Sequence, residues 1–492
     1  MQFWNHIIQT AMLGTDKKQI AISELPEAMA NATTIITGNT AIDKEEQFLQ
    51  IASLAANYRQ SGAQPLHKEG ITIELAPPEE KPYCSNRASG VLKDILDEDS
   101  NPLLALWLEH CVSAGQLTTP LLLPLLLDKA TQHKTLRTNV EQCMGKRGEW
   151  LCGFNKNWQF SAAETDEERW QTGKPDQRRQ VLQQLRNTNP ALAREWLQQT
   201  WAQENANSKA ELIKALEVNL GAEDVEWLES ISTEKSQKVK EETLNLLRQI
   251  PSSTIIQQYW QIVQQAVTLK KESAFLGLGS KTALSIQLPA VVDDKIFKTG
   301  IEKLSNDKAV SDEDFILYQL ISFIPPDFWE THFNETPTVI YQLFSKHENL
   351  LPALGEAAGR FKNRTWAPLF TGNTGRHYLS LLQLLPAKVR DAYVVKHFDD
   401  MQEMVIPFIT QDNMPEWSMP VAMAAIIYTA SEPSQFTRSF YSKNIHLIPV
   451  QMAAELANCT PADPYKHYTW RSTSEYLLKL LRLKERIIQS FS

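Results

Sequence analysis

The stretch that decides the fold is a pair of segments, AEDVEWLESI at Ala222–Ile231 and SQKVKEETLNLLRQI at Ser236–Ile250. The second segment ends before Pro251, which cannot continue a helix. A short polar link joins the two segments, so together they predict one HEAT-like antiparallel helical hairpin. The apolar face of the second helix consists of residues that recur at three- and four-residue intervals, namely Val239, Thr243, Leu246, Leu247 and Ile250.

This hairpin belongs to a longer run of six helix signatures between Asp176 and Thr268. Within the run, Ser208 and Glu211 have the spacing of a capping box, and Gly221 is predicted to end the helix that they begin. A single hairpin cannot bury its apolar face alone, so neighbouring hairpins must stack on it. The sequence therefore predicts an all-α protein, a HEAT-like α-solenoid of degenerate helical hairpins with a small extended or β insertion.

Helical patterns continue on both sides of the run. The insertion is predicted where Leu284, Ile286 and Leu288 alternate with polar residues, as in a strand. A similar alternation between His67 and Leu75 predicts a short extended segment. The predicted organisation is an N-terminal helical region at 1–160, HEAT-like helical repeats at 161–270, an inserted loop or hairpin at 271–300, and C-terminal helical repeats at 301–492.

The composition is that of a globular, acidic protein. Of the 492 residues, 42% are hydrophobic, which is enough for a sizeable core and argues against disorder. The formal net charge of −9 argues against a dominant nucleic-acid-binding surface, because such a surface needs a basic face. A local basic stripe remains compatible with this charge.

The five cysteines predict buried, reduced thiols, because their spacing is irregular and no Cys-x-x-Cys pair occurs. The N-terminus lacks the basic region of an export signal. The most apolar stretch, Leu117–Leu127, contains two prolines and is too short to span a membrane. These features predict a cytoplasmic protein without a membrane segment.

The sequence contains no recognised metal or hydrolase motif. The ten histidines are scattered, and neither His-Glu-x-x-His nor Gly-x-Ser-x-Gly occurs. We therefore expect no metal, no cofactor, no catalytic residues and no intrinsic turnover.

One candidate site is the segment GKRGEW at Gly145–Trp150. Its two glycines flank Lys146 and Arg147, and such a turn is able to present backbone amides and cations to an anion or a partner. The competing interpretation is purely structural: Gly145 ends a helix, Gly148 makes a tight turn and Trp150 packs in the core.

A second candidate is the Gly-rich loop Gly372–His377, which places Arg376 beside Gly375. A loop that joins two helices explains the same pattern. The candidate ligand- or partner-binding residues are therefore Lys146, Arg147, Trp150 and Arg376.

Several segments resemble an uncharacterised bacterial family, a domain of unknown function. They are Trp4–Asp16, Leu123–Asp128, Gly145–Leu151, Asn155–Trp158 and Pro190–Leu197. Members of that family are often encoded near MoxR-type AAA ATPases and von Willebrand factor A proteins. The resemblance implies an adaptor in a chaperone-like ATPase system, and it supplies no catalytic residues.

Two functions follow from these observations. The first is a non-catalytic scaffold or adaptor that binds another protein, such as an AAA ATPase or a von Willebrand factor A protein. The alternative is a HEAT-like nucleic-acid-binding protein or DNA-repair glycosylase, which needs a basic cleft with an aromatic and a carboxylate at its centre. The residues available for such a cleft are Arg147, Trp150, Arg360, Arg364, Trp366 and Arg376.

Overall fold

The computed structural model describes residues 2–62, 75–159, 166–273, 280–372, 376–412, 414–431 and 434–492. The chain divides into two compact units, Met1–Leu75 and Ala76–Ser492. The described residues are mostly helical, and their sheet has two strands, which confirms the predicted all-α class. The extended segment predicted between His67 and Leu75 lies outside the described residues, apart from Leu75 itself.

The described part of the first unit contains the helices α1 (Gln2–Leu13), α2 (Ala30–Gly38) and α3 (Lys44–Ser61). The carboxylate of Asp43 accepts a hydrogen bond from the Glu46 amide and so caps the start of α3. The small core of this unit consists of buried apolar side chains, namely Ile7, Ile20, Leu25, Met29, Ile51 and Ala55.

The first half of the second unit is built from short helices joined by short loops. Its helices are α4 (Asn86–Glu98), α5 (Asn101–Ser113), α6 (Leu123–Gln132), α7 (Arg137–Cys152), α8 (Asp166–Thr172), α9 (Pro175–Thr188), α10 (Pro190–Thr200), α11 (Ala206–Ile213), α12 (Val225–Ile231), α13 (Gln237–Leu247) and α14 (Thr254–Ala266).

An antiparallel hairpin of β1 (Val267–Ser273) and β2 (Ser280–Ile286) follows α14, with Val267 opposite Ile286. This hairpin confirms the predicted insertion. The remaining helices are α15 (Asp312–Ile321), α16 (Pro326–Phe333), α17 (Pro337–Phe344), α18 (Leu351–Arg360), α19 (Leu379–Leu382), α20 (Ala387–Lys396), α21 (Val405–Ile409), α22 (Met419–Ser431), α23 (Gln435–Asn444), α24 (Met452–Glu455) and α25 (Pro464–Ser490).

The hairpin predicted at Ala222–Ile250 is present as α12 packed against α13. Its apolar stripe is buried, since Val239, Thr243, Leu246 and Leu247 each have less than a tenth of their surface exposed. Neighbouring helices continue the packing: α9 contacts α10 and α11, and α11 contacts α13.

The predicted capping box at Ser208 is wrong. The side chain of Asn205 accepts hydrogen bonds from the amides of Asn207 and Ser208, both at 3.0 Å, so α11 begins three residues earlier than predicted. Ser208 lies buried within the helix, and Glu211 points to neighbouring cations instead of to an amide. Gly221 also does not end this helix, because α11 tightens into a 3-10 turn after Ile213.

The first and last helices of the second unit pack together. Helix α25 contacts α4 and α5, and the ring of Phe491 meets the ring of Trp107 edge to face at 5.3 Å. An ion pair of 2.7 Å joins Arg486 to Asp94. In an open solenoid each repeat contacts only its neighbours, so the first and last helices do not meet. The contact of α25 with α4 and α5 therefore differs from that arrangement.

All five cysteines are buried and unpaired. Burial raises the pKa of the Cys84 and Cys459 thiols to about 11, which keeps them protonated at neutral pH. No helix in the described part of the chain is long and apolar enough to cross a membrane.

Candidate functional site

Helix α7 contains a sharp break at Gly145. The backbone there has φ 61° and ψ −171°, a left-handed φ that favours glycine. The helix predicted to stop at Gly145 does stop there, but a new helical turn begins at once. Gly148 belongs to this turn and is buried, so the predicted tight turn at Gly148 is wrong. A Cβ atom on Gly148 would lie 2.4 Å from the Cβ of Met144, so the close packing of the two residues requires glycine.

The backbone amides at this break are already bound to a carboxylate of the protein itself. The backbone N–H groups of Lys146 and Arg147 donate to the two carboxylate oxygens of Glu79, at 2.8 and 2.9 Å. The Lys146 Nζ lies 3.8 Å from a carboxylate oxygen of Glu80. A carboxylate at the first turn of a helix is favourable because it neutralises unpaired amides. An external phosphate must therefore displace Glu79 to reach these amides.

The other two candidate residues of this segment differ in their exposure. The Arg147 residue is exposed, whereas Trp150 is half-buried. The Trp150 ring meets Phe154 edge to face, with ring centroids 4.8 Å apart, and Phe154 itself is 62% exposed. The full burial expected for Trp150 in the structural interpretation is therefore wrong. The binding role of Lys146, Arg147 and Trp150 stays a prediction.

Arg376 belongs to a separate cluster on α15 and α18. Its Nη2 donates to Glu356 Oε1 at 2.6 Å, and the Tyr318 hydroxyl donates to the same oxygen at 2.6 Å. Burial, together with the hydrogen bond to Glu356, raises the pKa of Tyr318 to about 12. None of these partners contacts Lys146 or Arg147, so the described contacts do not join the two candidate sites. Residues 373–375 of the predicted loop lie outside the described part of the chain.

Arg360 follows Glu356 by one helical turn on α18. Its guanidinium lies over the ring of Phe323, 4.1 Å from the centroid, and its Nε donates to the Ser322 carbonyl at 3.1 Å. The guanidinium of Arg248, at the end of α13, lies 5.0 Å from the centroid of the same ring. No motif in the sequence indicates Arg248 or Phe323 as site residues. A local signal for Arg248 is its position as a cation within the apolar stripe of this segment, between Leu247 and Ile250.

The residues proposed for a nucleic-acid cleft do not form one face. Trp366 is completely buried, and its Nε1 donates to Glu330 Oε1 at 2.6 Å. A tryptophan in that position cannot stack on a base. Arg364 is exposed, while Arg360 packs against Phe323. In the described ranges, no group of three His, Cys, Asp or Glu side chains has the arrangement needed to hold a metal ion.

A comparison with protein-family models identifies the family of this chain. The model of a family of unknown function, DUF5691, matches residues 6–491. The chain belongs to this family. The DUF5691 match confirms the resemblance to a domain of unknown function, and it includes the α7 break, the Arg376 cluster and the Arg248–Arg360 pair. No curated protein and no solved structure matches the chain.

Proposed function

We propose that this DUF5691 protein is a non-catalytic scaffold or adaptor of the cytoplasm, built as a HEAT-like stack of helical hairpins. Its partner in this proposal is a component of a MoxR-type AAA ATPase and von Willebrand factor A system, as the family resemblance implies. The observation that carries the proposal is a set of exposed aromatic side chains on α23 and α25.

This aromatic set consists of Phe436 on α23 and of Tyr465 and Tyr468 on α25. These residues are 72%, 95% and 86% exposed, respectively. Tyr465 and Tyr468 are three residues apart and therefore project from the same side of α25. Exposed Tyr and Phe side chains are enriched at protein interfaces, because they bury a large area at a small entropic cost.

The two helices hold the aromatic set on a common support. Helix α23 packs against α25, and the Arg438 Nη2 donates to the Ser472 carbonyl at 2.9 Å. A rigid support of this kind favours binding, because little conformational freedom is lost when a partner docks.

Ion pairs between successive helices support the stacked architecture. Arg179 on α9 pairs with Glu211 on α11 at 3.1 Å, and Lys214, directly after α11, lies 3.6 Å from Glu242 on α13. Each pair joins a helix to the second helix after it along the chain, as expected where neighbouring two-helix repeats contact each other. The pairs are partly exposed, so they help to define the register of the stack more than its stability.

The test is affinity purification of the tagged full-length chain from its native host, with quantitative mass spectrometry of the bound proteins. We expect an AAA ATPase or a von Willebrand factor A protein to be enriched. The triple variant Phe436→Ala/Tyr465→Ala/Tyr468→Ala should reduce that enrichment by at least about tenfold, since interface aromatics contribute about 2 kcal/mol or more each.

The matched control is Leu121→Ala, which removes an apolar side chain that is 85% exposed outside the aromatic set. This control should bind as the wild type does. Recovery of no such partner, or full retention of the partner by the triple variant, would contradict the proposal.

A further inference from the structure

A cavity of about 320 Å³ lies where the end of α13 faces α15 and α18. We call it the guanidinium pocket. Its charged and aromatic lining consists of Lys214, Glu217, Glu242, Arg248, Phe323 and Arg360. Three cations thus face two carboxylates and one aromatic ring. The volume is at the lower end of the range of small-ligand sites, about 300–1,000 Å³.

The two guanidinium groups of the pocket are held in place by the protein. The Nε of Arg248 donates to the Leu244 carbonyl at 3.3 Å, and the Nε of Arg360 donates to the Ser322 carbonyl at 3.1 Å. Both groups lie on the ring of Phe323. Their orientation is therefore set before any ligand binds, as in sites that bind with little reorganisation.

Neither guanidinium is neutralised within the described residues, where no carboxylate forms an ion pair with Arg248 or Arg360. Of the acidic groups around the pocket, Glu242 pairs with Lys214 and Glu356 pairs with Arg376. Glu217 also lines the pocket, but within the described residues it forms no ion pair with either arginine.

The environment of both groups disfavours their charge. Burial lowers the pKa of Arg248 and of Arg360. The charge of Arg248 lowers the pKa of Arg360 further, and the charge of Glu356 opposes this effect without outweighing it. Both residues are partly buried. Two like charges held together and partly shielded from water are unfavourable unless an opposite charge joins them. Groups perturbed in this way inside a cleft are candidates for a functional site.

Donor atoms remain available on both side chains. In the described structure, Nη1 and Nη2 of Arg360 have no protein acceptor, whereas Arg248 directs Nη2 to Asn245. The Arg248 side chain lies close to the backbone of Gly300, which has a φ of 95°. A Cβ atom on Gly300 would lie 2.6 Å from Nη1 of Arg248. Glycine at this turn therefore leaves room for the Arg248 guanidinium to line the pocket.

We propose that the guanidinium pocket binds a phosphate dianion, either as free phosphate or as the phosphoryl group of a small molecule or side chain. Two planar guanidiniums offer paired N–H donors that match the oxygens of a phosphate group. A dianion neutralises both Arg248 and Arg360, whereas a single carboxylate leaves one of them uncompensated. The pocket is lined by α13 and its end, the 3-10 turn after α11, the segment after α15 and the end of α18, so this site is independent of the aromatic set on α23 and α25.

The test is titration calorimetry of the full-length chain with inorganic phosphate at constant ionic strength, repeated with phosphoserine and with acetate. We expect saturable binding of one phosphate per chain and weaker or undetectable binding of acetate. Arg248→Gln and Arg360→Gln should each weaken the affinity at least about tenfold, because each removes charge-assisted hydrogen bonds. The matched control is Arg364→Gln, since Arg364 is exposed and does not line the pocket.

A second measurement separates ligand binding from a structural role. Without phosphate, Arg360→Gln should unfold at the wild-type temperature or above it, because it removes like-charge repulsion. The phosphate-induced rise in the unfolding temperature should be lost in the same variant. Gly300→Ala should also weaken phosphate binding, since it displaces the Arg248 side chain and leaves its charge intact.

Preferential binding of either phosphate or phosphoserine over acetate supports the site, and the tighter of the two identifies the source of the phosphoryl group. The proposal is overturned if the wild type binds phosphate without saturation. It is equally overturned if both glutamine variants bind as the wild type does, or if acetate binds as tightly as phosphate.

Discussion

Replacing Arg186 by methionine removes the centre of a buried ionic cluster between α9 and the turn before α12. The Arg186 side chain is completely inaccessible to solvent, and its Nη1 and Nη2 donate to the carboxylate of Asp224 at 3.0 and 2.8 Å. Arg194 adds a third hydrogen bond to the same carboxylate, at 2.7 Å. The Nε of Arg186 donates to the Val218 carbonyl, and Nη1 and Nη2 are also within hydrogen-bond distance of the carbonyl groups of Pro190, Leu216 and Asn219.

The expected loss follows from the groups that Arg186→Met leaves without partners. Removal of one member of a buried ion pair typically costs about 3–5 kcal/mol, because the remaining charge stays buried. Arg194 still neutralises part of the Asp224 charge, which reduces the cost. Four carbonyl groups lose a charged donor, which increases the cost and so offsets that reduction. We therefore expect a loss of about 3–5 kcal/mol in the free energy of unfolding.

The assay is urea unfolding followed by circular dichroism, with hydrogen exchange of the α9 and α10 amides as a local measure. The matched control is Arg179→Met on the same helix, whose ion pair with Glu211 is about one-third exposed on both sides. That control should cost at most about 1 kcal/mol. If Arg186→Met lies within about 1 kcal/mol of the wild type, the reasoning about the buried cluster is refuted.

Two further predictions concern the α7 break and the acid stability of the chain. Gly145→Ala should destabilise the protein by about 1–3 kcal/mol, because its φ is positive and the new Cβ atom would lie 2.4 Å from the Glu79 carboxylate. Gly90→Ala on α4 has open space and should instead stabilise it by about 0.5–1 kcal/mol, so thermal unfolding of the two variants should shift in opposite directions. Burial raises the pKa of Asp224, but hydrogen bonds from Arg186 and a second arginine outweigh it and hold the pKa below 3.8. Its stabilisation is therefore present above that value and lost as the pH falls below it, so urea midpoints measured between about pH 5 and pH 2 should fall more for the wild type than for Asp224→Asn. An equal fall in both proteins would contradict this assignment.

The helices were predictable because their signals are local. The period of apolar residues at Val239–Ile250 and the stop at Pro251 depend only on residues within a few turns of one another. The break at Gly145 was predictable for the same reason, since glycine is favoured at a positive φ. The capping box at Ser208 failed because Asn205 offers a competing side-chain acceptor three residues earlier. Two good caps so close together cannot be ranked from sequence spacing alone.

The candidate site was only partly predictable, because its contacts join distant segments. Lys146 and Arg147 were chosen for their amides and charge, but Glu79, which binds those amides, comes from a segment before α4. Arg360 was named for a nucleic-acid cleft, yet its neighbours are Phe323 and Arg248.

By itself, the sequence determined the all-α class, the hairpin of α12 and α13, the β insertion and the membership of a family of unknown function. The structural features depend on short-range sequence patterns, and the family membership depends on the sequence of nearly the whole chain. The tertiary structure alone decided that the Glu79 carboxylate accepts hydrogen bonds from the backbone amides at the α7 break. It also decided that Arg248 and Arg360 share one aromatic ring and that no carboxylate within the described ranges pairs with either of them. The physical reason is that backbone preferences act within a helical turn, whereas the partner of a charged side chain depends on which distant helices pack beside it.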